Sequence, residues 1–223
     1  MQEHFENSIT FFGKGVHYNK DTSMTIIPQS SGGIVFKMTD ASEPIIAHYT
    51  NVHQMQLNTT ISNGKHSIST IEHLMAAFFY FKLKNAIILI DGPEIPLMDG
   101  GSNDFIFGLE ILKIPEQITK KLILKHEIKV TLNDSYIIAK PSNEFEILCE
   151  IDFPNSPIGI QVKQFNESKH NFKDTISYAK TFGHINQIEA MNAKGICLGG
   201  DIFSAIVYND TEILSPSYTH AKM

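Results

Sequence analysis

Apolar residues in the first sixty positions come in short runs broken by turn-formers: 9–12 before Gly13-Lys14-Gly15, 24–27 closed by Pro28, and 34–37 after Gly32-Gly33. Runs of this length between glycine and proline breaks predict strands. Asn63-Gly64 is a hairpin signal. Past it the period changes. Ile71, Leu74, Met75, Phe78 and Phe81 recur at helical spacing and predict a helix from Glu72 to about Lys82 with one apolar face. His73, Ala76, Ala77 and Tyr80 form a second face of mostly small residues. Residues 85–90 are a nearly continuous apolar run, the pattern of a buried central strand.

Residues 91–102 hold too much Pro and Gly for a helix and too particular a set of acids for a linker, which predicts an ordered loop. A helix over 103–113 follows, and Ile114-Pro115-Glu116 marks a boundary between two units, 1–115 and 121–223. Strands return at 122–132, 136–139 and 145–153. A helix starts near Phe172 behind an Asn171 cap, another covers 186–194 and stops at Gly195, and 205–208 is a last strand before an Asn209-Asp210 turn. Strands followed by helix, twice over, predict an α+β protein of two units, each a small β-sheet packed with helices.

Composition narrows the partners. A chain of 223 residues with 42% hydrophobic content can bury a real core, and a net charge of −6 with no Lys cluster argues against a general binder of nucleic acid or anionic membranes. Every cation is a lysine, so a phosphate or carboxylate must be met without the bidentate fork of arginine. Cys149 and Cys197 are the only cysteines, far apart and outside any C-x-x-C spacing, which predicts two buried free thiols. The N-terminus lacks a basic segment followed by an apolar run, and no stretch has the length of a transmembrane span. These features predict a cytoplasmic protein.

The chemistry concentrates at Glu72-His73. Both lie in the first turn of the predicted helix, where the dipole favours a carboxylate and disfavours an imidazolium, keeping His73 neutral and able to bind a metal. The same residues have a plainer reading. Ser69-x-x-Glu72 is also a capping box, in which Glu72 would reach back to a free backbone N–H and do no chemistry.

Gly13-x-Gly15-Val16-His17, Asn58-Thr59-Thr60, Ser69-Thr70-Ile71-Glu72-His73-Leu74, the run Asp91-Gly92-Pro93-Glu94-Ile95-Pro96-Leu97-Met98-Asp99-Gly100, Thr181-Phe182-Gly183 and Cys197-Leu198-Gly199-Gly200 occur in one order along the chain. In order and spacing they resemble the UDP-3-O-acyl-N-acetylglucosamine deacetylases, the zinc amidohydrolases of lipid A biosynthesis. The resemblance implies a zinc cofactor, a UDP-acyl-sugar substrate, Glu72 as general base and His73 as a zinc ligand. It implies Thr181 as a hydroxyl stabilising the oxyanion, Phe153 and Phe182 near substrate, and Leu57, Gly200, Ala205 and Val207 lining an acyl-chain passage. For Ala205 and Val207, plain core packing in a strand is the alternative.

The likeness covers nearly the whole chain and departs from the family at its end. Family members continue past the Ala-Ile-Val strand into a helix with His-Lys-x-x-Asp-x-x-x-Asp, which supplies the other two zinc ligands, and then a Ser-Gly-His segment. This sequence reads Ser217-Tyr218-Thr219-His220-Ala221-Lys222-Met223 there. The resemblance therefore implies an incomplete second unit and zinc site, and admits two alternatives: an inactive truncated remnant that at most binds acyl-sugar or a partner, or a separate C-terminal fragment that completes the site. His170-x-x-x-Asp174 and His17-x-x-x-Asp21 share ligand spacing but read as coincidences, and Ser135 stands near where the family commonly has a nucleotide-contacting Lys.

Overall fold

A computed structural model describes residues 6–54, 57–117 and 122–216. In chain order the first strands are β1 (Ile9–Lys14), β2 (Asp21–Pro28), β3 (Ile34–Met38), β4 (Ile45–Ile46), β5 (Val52–Gln54), β6 (Thr60–Ser62) and β7 (Ser67–Ile68). Helix α1 (Glu72–Tyr80), strand β8 (Ala86–Ile90) and helix α2 (Asn103–Leu109) follow. The main sheet has the order β1-β2-β8-β3-β4, antiparallel except for the β3–β8 pair.

Alternation along the strands decides what that sheet buries. Met24 and Ile26 of β2, Phe36 of β3 and Ala86, Ile88 and Ile90 of β8 are fully buried beneath Leu74, Ala77 and Phe78 of α1 and Phe105, Ile106 and Leu109 of α2. Each large side chain so buried is worth about 1.5–3 kcal/mol. Phe11 of β1 closes the α2 end edge-on against Phe105, ring centroids 5.2 Å apart. Ile87 and Leu89, on the other face of β8, are only half-buried, so the apolar run of β8 marks a central strand covered fully on one side.

The second half carries β9 (Ile128–Leu132), β10 (Ser135–Ala139), β11 (Glu146–Phe153), β12 (Gly159–Asn166), α3 (Phe172–Thr175), β13 (Phe182–His184), α4 (Ile185–Asn192) and β14 (Ile206–Tyr208). Its strands form three separate pairs: the hairpins β9–β10 and β11–β12, and β13 running parallel to β14 with α4 between them. Phe172 packs against the core of the first half, and backbone bonds from Ser102 to Ser177 (3.3 Å) and Thr181 to Gly100 (2.9 Å) join the two. The protein is α+β.

Several elements depart from the sequence pattern for identifiable reasons. Helix α2 stops at Leu109 because Asn7 takes both backbone groups of Lys113, accepting from its N–H at 2.9 Å and donating to its carbonyl at 2.7 Å. Strand β9 begins at Ile128, after the charged Lys125-His126-Glu127. The pattern missed β12 and β13, whose places come from pairing with β11 and β14. Cys149 is exposed, because neither face of β11 is covered at that position, and Cys197 is half-buried; both are free. His220-Ala221-Lys222-Met223 lies outside the described residues. Among the described residues no helix is long and apolar enough to cross a membrane.

Candidate active site

The start of α1 is fixed by its surroundings. Ile71 occupies the cap position without a side-chain cap bond, so Ser69 and Glu72 form no capping box. The Ser69 hydroxyl accepts from Thr60 Oγ1 at 3.0 Å, while Glu72 Oε2 accepts from the backbone N–H of Thr59 at 2.9 Å. Glu72 is thereby anchored sideways to β6, and its second carboxylate oxygen has no hydrogen-bond partner among the described residues. Thr70, just before the helix, is buried in the left-handed region at φ 65°, a conformation that costs about 1 kcal/mol or more for a residue with a side chain.

Glu94 explains how that strain is held. Its carboxylate is 1% exposed and accepts from Thr70 Oγ1 at 2.6 Å, from the His17 N–H at 2.9 Å and from the Tyr18 N–H at 3.1 Å. A side chain at Gly15 would meet this carboxylate at 2.1 Å, so only glycine lets the turn approach. The loop from Asp91 onward is ordered as its composition implies: Ile95, Leu97 and Ser102 are buried, and Ser69 bridges to Glu94 as a parallel strand fragment.

His73 lies in the field of two carboxylates. Burial pushes its pKa below the ordinary value, and the negative charges of Glu72 and Asp99 oppose that shift without reversing it. The ring is held neutral chiefly by desolvation. Asp99 accepts from the Gly101 N–H at 3.1 Å, and Lys180 donates to the carbonyls of Asp99 and Phe203.

Gly100 links this turn to the second half. It sits at φ 78°, and a side chain there would come within 1.5 Å of the Ser204 carbonyl. Its own carbonyl accepts from the Thr181 N–H, and the Thr181 carbonyl accepts from Ile206. Thr181 is thus laid beside Asp99-Gly100, and its hydroxyl has no hydrogen bond among the described residues. Phe153 and Phe182 meet edge-on with centroids 5.0 Å apart. Leu57 is exposed between β5 and β6, Gly200 is exposed near the Val16 side chain, Ala205 is half-buried just ahead of β14, and Val207 is buried within it. No hydrogen bond among the described residues joins Thr181 to Glu72 or His73.

Among the described residues no three His, Cys, Asp or Glu side chains stand together as a metal site. They fit one ligand, His73, and not a three-ligand zinc centre. One member of each ligand-like spacing is engaged elsewhere: His170 Nδ1 accepts from the Asn166 N–H at 3.0 Å, and Asp21 pairs with Lys14 at 3.1 Å. Lys180 carries no signal in the sequence, and Glu94 and Asp99 enter there only as members of the 91–100 run, without a role of their own. An acid flanked by Pro93, Ile95 and Pro96 was the available signal for Glu94.

The family model for UDP-3-O-acyl N-acetylglycosamine deacetylases matches residues 2–222. The chain belongs to the UDP-3-O-acyl-N-acetylglucosamine deacetylase family. A relative of that name from Geobacter sp. (strain M21) is 34% identical over 221 residues, covering 97% of this chain and 72% of the relative. Another, from Campylobacter fetus subsp. fetus (strain 82-40), is 35% identical over 207 residues, 92% of this chain and 70% of its own. A third, from Sulfurimonas denitrificans, is 31% identical over 221 residues.

Proposed function

We propose that the chain removes the N-acetyl group of UDP-3-O-acyl-N-acetylglucosamine in the cytoplasm, as a zinc amidohydrolase of lipid A biosynthesis. The observation that carries this reading is the release of Glu72 from helix capping: one oxygen is pinned by Thr59 and the other is left to take a proton. Glu72 takes a proton from the attacking water, a new C–O bond forms at the acetyl carbon, and the proton passes to the departing sugar nitrogen as the C–N bond breaks. Thr181 donates its hydroxyl to the developing oxyanion, and Phe153 with Phe182 flanks the substrate. Leu57, Gly200, Ala205 and Val207 line the acyl chain's path. His73, half-buried and held neutral, offers a lone pair as one zinc ligand. Zinc would add Lewis acidity at the carbonyl. Its other ligands would come from residues outside the described set or from a separate fragment, so no step here depends on it.

A second reading, binding of acyl-sugar without turnover, is favoured by the single ligand among the described residues. Acetate release from the UDP-sugar separates the two. The active reading expects measurable release that falls about 10²-fold or more in Glu72→Ala, the usual worth of a general base, and zinc that is lost in His73→Ala. Equal rates for the parent and Glu72→Ala would overturn the assignment of Glu72. Substrate binding without acetate release would leave the second reading standing.

A further inference from the structure

We propose that Cys197, His17 and Met191 form a binding site for a soft monovalent metal ion of the copper(I) class, between the 15–19 turn and the loop that follows α4. Cys197 Sγ lies 3.6 Å from His17 Nδ1 and 3.7 Å from Met191 Sδ. Metal–donor bonds of about 2.0–2.3 Å in a trigonal plane set their donors about 3.5–4.0 Å apart. Both separations already fall in that range.

His17 supplies the second indication. The residue is 8% exposed, its ring faces the Cys197 sulfur, and its Nε2 has no hydrogen-bond partner among the described residues. A buried imidazole with one nitrogen facing a thiol and the other unpaired among the described residues forfeits hydrogen bonds that water would give it. Coordination through Nδ1 would exchange the weak contact with the thiol for a metal bond, while Nε2 stays unpaired. The backbone prepares the approach: the His17 N–H is held by Glu94, and the N–H groups of Leu198 and Gly199 donate to the carbonyls of His17 (3.4 Å) and Val16 (2.9 Å). Cys197 and Met191 are half-buried, so an ion can reach them.

Donor type selects the ion. A thiolate with a thioether favours copper(I) over zinc(II), which seldom takes methionine. Binding breaks the Cys197 S–H bond, forms the S–metal bond and releases one proton to solvent; no oxidant or reductant is needed when the ion arrives as copper(I). Burial, and then the charge of Glu94, push the Cys197 thiol up, so without metal it stays protonated and slow to alkylate. A bound ion would clamp the 15–19 turn of the first half to the Cys197-Gly200 loop of the second. The site shares no side chain with the Glu72-His73 pair and does not rest on the deacetylase reading.

The test removes the exposed thiol first. A Cys149→Ser chain is titrated anaerobically with copper(I) held by a chromophoric chelator, with zinc(II) as competitor. One equivalent of copper(I) is expected to be taken from the chelator, with affinity falling at least about tenfold in Met191→Leu and with the tight equivalent lost when Cys197→Ser is added. X-ray absorption of the loaded chain is expected to show two sulfurs and one nitrogen. Copper(I) uptake equal in the chains with and without Cys197, unchanged affinity in Met191→Leu, or displacement by zinc(II) would each overturn the proposal. Met191→Leu conserves volume and keeps the test decisive should Cys197→Ser fold poorly.

Discussion

Glu94 shows how much one buried carboxylate can organise. Three donors from two distant segments converge on it, and they hold the 15–19 turn and the strained Thr70 against the 93–95 loop. Removing it strands two backbone N–H groups and a hydroxyl in the interior. Glu94→Ala is therefore expected to cost at least about 3 kcal/mol in urea unfolding, and Glu94→Gln less, because an amide can still accept from the N–H groups and donate to Thr70. Asp104 makes a second prediction at this scale. Burial raises its pKa, with the charge of Asp99 adding to the shift and Lys180 opposing it. A carboxyl whose pKa is higher folded than unfolded binds more protons in the native state, so it weakens the fold as pH rises through that window. Asp104→Asn should then raise the urea midpoint at neutral pH relative to the parent. The gain should shrink as pH falls toward the ordinary aspartate value of about 3.9; a pH-independent difference would contradict the argument.

Among elements, α1 was the most legible and its start the least. The spacing of Leu74, Phe78 and their neighbours gave the helix and its core face, because a 3.6-residue period leaves few alternatives. Whether Glu72 capped the helix or pointed elsewhere depended on Thr59, thirteen positions away, and no local pattern encodes that. Ala77, placed from sequence on a second face of mostly small residues beside His73, is fully buried and belongs to the core. The turn before α2 carries the element-scale prediction. Gly100 needs φ 78° and passes against the Ser204 carbonyl. Gly100→Ala should destabilise by more than about 1 kcal/mol and loosen Thr181, whose N–H bonds to the Gly100 carbonyl. Amide exchange at Thr181 that stays unchanged would sink the claimed link.

At the scale of the molecule the halves differ in how their sheets are covered. The first sheet has helices on one face and a closed core, whereas Ile128, Val130, Leu132 and Ile137 line one face of the β9–β10 hairpin with nothing among the described residues packed over them. Uncovered apolar strand faces and open edges promote association. Ile137, 76% exposed, contributes little to folding where it stands. Ile137→Lys is thus expected to leave stability within about 0.5 kcal/mol while lowering concentration-dependent association in light scattering; a large loss of stability would show that the face is packed. What the sequence determined by itself was the α+β class, most element positions, the Glu72-His73 pair and the family, because period, turn residues and motif spacing are local in the chain. Only the tertiary structure decided that Glu72 is free of the cap, that Glu94 anchors Thr70, that β12 and β13 exist, and that Cys197 meets His17. Each of these depends on groups remote in sequence, where burial and hydrogen-bond satisfaction outweigh local preference.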